Sequence, residues 1–291
     1  MQTFISTQSL CELSIREASQ WLEAHWSEPI LLQDVAAHAH LSPYHFHRIF
    51  KTFTQTTAKQ LLTRLRLEKA AQLLRFTDLE IAQIAMEVGY ENHETFTRAF
   101  KNHFGQPPSD YRSGAQIEIA QKQAEYSTKA IALSDLQLDP PKIVQIAPVN
   151  VVYIRHTGSY DQVGKTWNQL LRWALLHWQL SRQTSTLGIV HDDPYITQTE
   201  QIRYDACLVV KKEFQPKGSI GFKQLAGGKY AVFRYKGAYD NFYTVYDYIY
   251  SVILLQKGWQ LRNEPALEWY IQSPPFYKPD NFLTDFYLPI E

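Results

Sequence analysis

The sequence predicts a multi-domain fold: an all-α N-terminal domain built as a double helix-turn-helix, then an α+β C-terminal domain made of two strand-helix-strand-strand repeats. Two internal duplications and the stretch between them predict it. Phe46-His47-Arg48-Ile49-Phe50-Lys51 returns 50 residues later as Phe96-Thr97-Arg98-Ala99-Phe100-Lys101. The segment around Arg155 returns around Arg234, 79 residues on. From Ser113 to Asp139 the periodicity lapses in a polar, Gln- and Ala-bearing stretch that ends in Pro140-Pro141. The expected division is therefore a domain over 1–113, a linker over 114–139 with room in it for an extra strand or helix, and a second domain over 140–291.

The first duplication extends upstream. Val35-Ala36 precedes Phe46, and Ile84-Ala85 precedes Phe96 with one more residue in between. The small Ala36 and Ala85 let two helices cross closely, and the following turn needs a residue tolerant of positive φ: Gly89 in one copy, His40 in the other. Ser42 and Asn92 stand where N-caps belong, and Pro43 suits a first helical position. Phe46, Ile49 and Phe50, like Phe96, Ala99 and Phe100, recur at helical spacing and face inward. Tyr44, His47 and Arg48, with His93, Glu94, Thr95, Thr97 and Arg98, are then expected to point outward. Between the units, 56–76 reads as one long helix with apolar positions on two opposite sides, a rigid spacer able to pack against both.

A helix laid in the major groove reads base edges with its N-terminal residues, and Arg is the strongest reader of guanine. Arg48 and Arg98 hold equivalent positions, and Lys51 and Lys101, three residues after each, join them as DNA-binding candidates. From Ser42 to Arg75 seven Lys and Arg face the single acid Glu68, an expected phosphate-facing stripe on a chain of net charge zero.

Ile84-Ala85, Val88-Gly89-Tyr90, Phe96-x-Arg98-x-Phe100-Lys101, Phe104-Gly105, Pro107-Pro108 and Tyr111-Arg112 closely resemble the signature of AraC/XylS-type transcription regulators. The resemblance covers about a third of the chain. It implies that helices starting near Pro43 and His93 enter successive major grooves, making Tyr44, His47, Arg48, His93, Glu94, Thr95, Thr97 and Arg98 the base-reading candidates. His47, His93 and Glu94 depart from the best-known members, so no operator sequence is implied.

Two cysteines, Cys11 and Cys207, supply no disulfide framework and fit a cytoplasmic protein. No secretory leader pattern or apolar run of membrane-spanning length is read, so no membrane partner is expected. At 291 residues and 45% hydrophobic, two buried cores are expected.

In the second domain, Val151 to Asp161 aligns with Tyr230 to Asp240, both reading strand, glycine turn, helix start. Val163, Trp167, Leu170 and Ala174 match Phe242, Tyr246, Ile249 and Ile253; Gly188-Ile189-Val190 with Asp205 then matches Glu268-Trp269-Tyr270 with Asp285, now 80 apart. Leu267 and Trp269 suit the helix-packed face, which would turn Glu268 and Tyr270 to the other face, toward a cleft. A carboxylate among Tyr153, Trp173, Tyr204, Trp259, Tyr270 and Tyr287 would suit an apolar cation held by charge and ring faces together.

His191-Asp192-Asp193-Pro194, Ile202 to Cys207, Gly227-Gly228-Lys229-Tyr230-Ala231, Glu268-Trp269-Tyr270 and Thr284-Asp285 resemble a GyrI-like effector-binding domain. That resemblance implies an aromatic cleft with a central acid, the place of Glu268, for amphipathic and often cationic compounds. Joined to an AraC-type domain it is the Rob-like arrangement, whose expected partners are double-stranded promoter DNA, a small-molecule effector and RNA polymerase. No cofactor, metal site or catalytic residue is expected; the alternative is a hydrolase of reactive small molecules with Glu268 as general acid or base.

Overall fold

The computed structural model describes residues 7–129, 131–177, 184–215 and 218–291. The chain divides into two compact units, Met1–Ile119 and Ala120–Glu291.

The first unit is helical: α1 Thr7–His25, α2 Leu32–His38, α3 Pro43–Thr54, α4 Ala58–Phe76, α5 Ile81–Glu87, α6 His93–Phe104 and the start of α7 Pro108–Thr128. The pairs α2–α3 and α5–α6 are the two helix-turn-helix copies. His40 takes φ 53° and Gly89 φ 78°, equivalent turns despite the different side chains. Ser42 caps α3, and Asn92 caps α6 by accepting from the Glu94 and Thr95 amides at 2.7 and 3.1 Å. The extra residue of the second copy lies between Gly89 and Asn92. Phe46, Phe50, Phe96 and Phe100 are all fully buried.

Helix α4 opens on a reciprocal cap: the Gln60 amide donates to Thr57 Oγ1, and the Thr57 amide donates to Gln60 Oε1. Its Ala58, Leu61 and Leu65 complete the core around Phe46 and Phe50. Leu67, Ala70, Ala71 and Leu74 are buried on the helix's other part, and α4 also packs on α5 and α6. From α4 Arg66 reaches out and donates to the carbonyls of Trp26, Glu28 and Gly89 at 2.7, 2.7 and 3.1 Å. One guanidinium thus ties the end of α1 to the turn of the second copy.

Within the segment over 114–139, residues 114–128 are helical, the extra helix that the expected linker left room for. Residues 108–128 form the single helix α7, and its apolar contacts are spaced too sparsely to read as one stripe. Ala115 and Ile119 are buried, Arg75 pairs with Glu118, and beyond the unit boundary Tyr126 packs edge-on against Tyr248. After the helix, Leu138 is 3% exposed and bridges to Tyr235.

The second unit contains β1 Lys142–Ile146, β2 Val149–Thr157, α8 Val163–Leu176, β3 Thr186–Val190, β4 Arg203–Val209, β5 Gly221–Leu225, β6 Gly228–Lys236, α9 Phe242–Tyr248, a π-helical stretch Ile249–Ile253, α10 Leu254–Lys257, β7 Ala266–Gln272 and β8 Leu283–Pro289. All strands join one antiparallel sheet, ordered β1-β6-β8-β7-β3-β4-β2-β5. Each repeat carries a leading strand beyond the expected four elements, and the two are exchanged. β1 runs into β2 but pairs with β6, while β5 runs into β6 but pairs with β2. Only Ala147-Pro148 joins β1 to β2, although they lie near opposite ends of the strand order. The sheet must therefore curl until its edges approach. A Cβ on Gly227 would fall 2.6 Å from the Ile146 carbonyl, so the two short turns touch where the edges come together.

The curled inner face buries Val151, Tyr153, Leu187, Ile189, Cys207, Leu225, Tyr230 and Leu267, with Trp269 and Tyr287 packed against them. The other face carries the helices: α8 covers Val152, Ile154, Tyr204, Ala206 and Leu208. This reverses the expected assignment of β7. Leu267 and Trp269 line the inner face, and Glu268 and Tyr270 lie on the helix-bearing one. Alternation was read correctly, but both faces are packed, so hydrophobicity alone did not say which carried the helices.

Gly89→Ala should destabilise the first unit by about 1–3 kcal/mol, since a Cβ there meets both Arg66 Cζ and the Ser27 carbonyl at 2.9 Å in a left-handed backbone. Chemical denaturation of the full chain measures it, with Gly105→Ala as the comparison, where a Cβ meets nothing within 4 Å.

Candidate functional site

On the helical unit, Tyr44, His47, Arg48 and Lys51 of α3 and His93, Glu94, Thr95, Arg98 and Lys101 of α6 are all exposed. Tyr44 is 69% exposed, with the Arg48 guanidinium 5.9 Å from its ring centre. Thr97 differs: its residue is half-buried and its hydroxyl is buried without a hydrogen-bond partner. It leans toward the packed side of α6, where its repeat partner His47 is exposed. The cationic stripe expected between Ser42 and Arg75 is also thinner than the count implies. Arg64 pairs with Glu68, Arg75 with Glu118, and Arg66 is spent on backbone carbonyls. Lys69 is half-buried, and desolvation lowers its pKa. Arg48, Lys51 and Lys59 remain exposed.

On the second unit, Glu268 sits near the middle of the sheet and is 6% exposed. Tyr270, two residues along the same face, donates to Oε2 at 2.5 Å; Tyr246 of α9 donates to Oε1 at 3.1 Å. Tyr204 lies 2.8 Å from the Tyr270 hydroxyl, and the indole of Trp167, from α8, donates to Tyr204 at 3.0 Å. Because the Tyr270 proton is committed to the carboxylate, Tyr204 is the donor in the middle link. Rings close around this chain: Trp167 and Tyr239 each meet Tyr270 edge-on, and Tyr246 meets Phe286 edge-on. Trp167, Tyr239, Tyr246 and Tyr270 are all half-buried, so the carboxyl lies beneath an aromatic cover that is itself partly exposed.

Burial pushes the Glu268 pKa up to about 7, with the Tyr270 and Tyr246 hydrogen bonds opposing it. Tyr204, Tyr246 and Tyr270 titrate well above their ordinary range, through burial first and the Glu268 charge second. They therefore remain donors at neutral pH.

The repeat explains why this acid has no twin. Gly188 lies directly across from Glu268 in the β3–β7 ladder. A Cβ on Gly188 would come 2.2 Å from the Tyr204 hydroxyl. The first repeat thus pairs a glycine with a large tyrosine. In the second, the position equivalent to Tyr204 is Thr284, and the smaller side chain accompanies Glu268 in place of glycine. The Thr284 hydroxyl is buried without a hydrogen-bond partner.

Of the expected aromatic neighbours, Tyr204 and Tyr270 are brought to Glu268. Tyr153 and Tyr287 are on the inner face, opposite the acid. Trp173 packs on Phe214 and stacks on His177, and Trp259 packs on Phe233. Tyr153 and Tyr287 share the face of Leu267 and Trp269, not that of Glu268; Trp173 lies further along α8 than the turn that meets Tyr204. Trp167, Tyr239 and Tyr246 were not anticipated as neighbours. The alignment of the repeats contained the signal, because Trp167 and Tyr246 are equivalent and both aim at the central strands.

The inner face holds a second charged cluster. Asp205 is fully buried and accepts from Arg155 at 2.5 Å and Lys223 at 2.6 Å, with His191 Nε2 at 2.8 Å. Those charges hold its pKa well below the usual carboxylate range against the opposing cost of burial. Its repeat partner Asp285 is held by Arg234 in a two-pronged pair at 2.7 Å. These arginine–aspartate pairs link neighbouring strands in both halves.

A model of the GyrI-like small molecule binding domain matches residues 139–291, and a model of a helix-turn-helix domain matches residues 35–114. The chain belongs to the GyrI-like family. Its N-terminal region is similar to regulatory protein SoxS of Salmonella typhimurium, 36% identical over 98 residues that span 34% of this chain and 92% of that protein. Transcriptional regulator Rob of the same organism is 39% identical over 102 residues, and the right origin-binding protein of Escherichia coli K12 is 41% identical over 98. The matches to these two cover about a third of their length, 35% and 34%. The helical unit is of the AraC type, and a GyrI-like domain follows it in the Rob-like order.

Replacing Tyr270 by Phe removes the shorter of the two donors to Glu268. The carboxyl should then titrate about one pH unit higher, the value of a hydrogen bond to a charged group, which carbon-detected NMR of labelled Glu268 would read. An unchanged midpoint would mean that the hydroxyl contributes little.

Proposed function

We propose that this chain is a transcription regulator that binds promoter DNA through α3 and α6 and takes a lipophilic organic cation at Glu268. The observation that carries the ligand reading is a carboxyl group buried under tyrosine hydroxyls and flanked by half-exposed rings. An apolar cation suits such a site because charge and ring faces attract it together, while a strongly hydrated cation would lose more on desolvation. The orphaned Thr284 hydroxyl on the same face of the sheet supports a site with unmet polar capacity. The DNA reading is supported by the exposed Arg48 and Arg98 at equivalent places on two capped helices, and by the AraC-type region. Promoter DNA and RNA polymerase are the macromolecular partners this reading requires.

Glu268 must be ionised to hold a permanent cation, and in the empty site it is half-protonated at about pH 7. Binding below that pH therefore expels a proton, so affinity must rise as pH rises. For tetraphenylphosphonium, the association constant should climb about tenfold per pH unit well below 7 and level off above it. Calorimetry across pH 5.5–8.5 measures this, and Glu268→Gln should flatten the profile. An equally steep profile in the variant would dismiss Glu268 as the charge partner.

For DNA, Arg48→Ala and Arg98→Ala should each cost about 1–3 kcal/mol on a duplex selected by the wild-type protein. Fluorescence anisotropy at two salt concentrations measures it, and two silent substitutions would overturn the two-helix reading.

A further inference from the structure

Helix α9 lies between the Glu268 site and the end of α7. Its Tyr246 donates to Glu268 on one side. The next residue, Asp247, is gripped by Lys122 and by the Tyr126 hydroxyl, both from α7. One turn on, Gln123 of α7 donates to the carbonyl of Ser251 at 2.8 Å, and Tyr126 packs edge-on against Tyr248. Four consecutive contacts thus fasten the last turns of α7 to the helix that reads the carboxyl. These turns belong to the second unit, whereas α7 itself begins at Pro108 in the first.

The backbone that α7 grips is irregular. Ser251 lies within the π-helical stretch Ile249–Ile253, flanked by α-helical residues on both sides. π-helical turns are rare, occur mostly as single-turn interruptions of α-helices and concentrate at functional sites, which makes this turn the irregular point of the helix. Nothing comparable interrupts α8, the equivalent helix of the first repeat, over Val163–Leu176. The asymmetry that puts an acid at 268 and glycine at 188 is therefore matched by an asymmetry in the helices above them.

We propose that α9 and its π-helical turn transmit occupancy of the Glu268 site to α7, and through that continuous helix to the DNA-binding unit. The proposal rests on the ligand reading of Glu268. The bulk of a cation seated against the carboxylate displaces the Tyr246 ring, and with it the bond to Oε1. Freed of that bond, α9 shifts at the π-helical turn, and the Asp247 and Ser251 contacts that hold α7 loosen. Lys122, Gln123 and Tyr126 act here through α9 and touch no ligand. Ligand occupancy then biases one two-state element that runs into the first unit, which is what coupling between distant sites requires.

Hydrogen exchange of the full chain, with and without saturating tetraphenylphosphonium, tests it. In the wild type, exchange should accelerate about fivefold or more both over 245–253 and over 120–128. In Lys122→Met the ligand should bind up to about fivefold tighter than in the wild type, because a loosening that ligand drives must in turn favour the ligand, and the response over 245–253 should persist. The response to ligand over 120–128 should vanish, because the grip is already broken. Gln123→Ala provides the same readout should Lys122→Met fold poorly. The proposal is overturned if α9 responds in the wild type while 120–128 does not, or if both variants keep the α7 response. Failure of tetraphenylphosphonium to bind the wild type at all would refute the ligand reading itself, and this inference with it.

Discussion

Ionising Glu268 where it stands costs about 3 kcal/mol relative to water, the difference between a pKa of about 7 and the ordinary 4.5. That cost arises because the strands place the carboxyl under Tyr246, Tyr204 and Phe286 rather than in solvent, and two phenolic donors recover only part of the lost hydration. Much of the surrounding architecture serves to keep it there. Gly188 admits the Tyr204 ring, Tyr204 positions the hydroxyl of Tyr270, and α9 brings Tyr246 to the other oxygen. A group left so poorly solvated gains from any partner that supplies positive charge without requiring water.

The sheet makes that arrangement possible by tying the two repeats together. Since β1 and β5 are exchanged, neither repeat has a complete sheet without the other, and the central β3–β7 pair is held in register from both flanks. Gly188 and Glu268 therefore face one another across the pseudo-symmetry axis. The inner face is sealed by aromatic and aliphatic packing, with arginines paired to buried aspartates linking its strands, which leaves the helix-bearing face as the one available for chemistry.

Much of this was legible in the sequence, for identifiable reasons. The doubled Phe-x-Arg-x-Phe-Lys phrase reports local helical spacing, and the caps and turns at Ser42, Asn92, His40 and Gly89 obey local backbone rules. Glu268 stood out because a repeat exposed its missing twin. What could not be read was non-local. The leading strands pair with the other repeat, so no neighbouring pattern announces them, and period-two alternation cannot name a face when both are buried. That single ambiguity misplaced Tyr153 and Tyr287. The helicity of 114–128 was hidden because α7 divides its packing between two units, so no single stripe spans it. Arg66 and Arg75 counted as phosphate ligands by composition, but three carbonyls and Glu118 hold them.

On the proposed reading, Glu268 gives up a proton when a cation enters its site. Calorimetric titration of tetraphenylphosphonium at pH 6 in two buffers of different ionisation enthalpy counts the protons released per ligand bound. Release should be close to one in the wild type and absent in Glu268→Gln; binding of the same strength with no proton released by the wild type would contradict a cation site at Glu268.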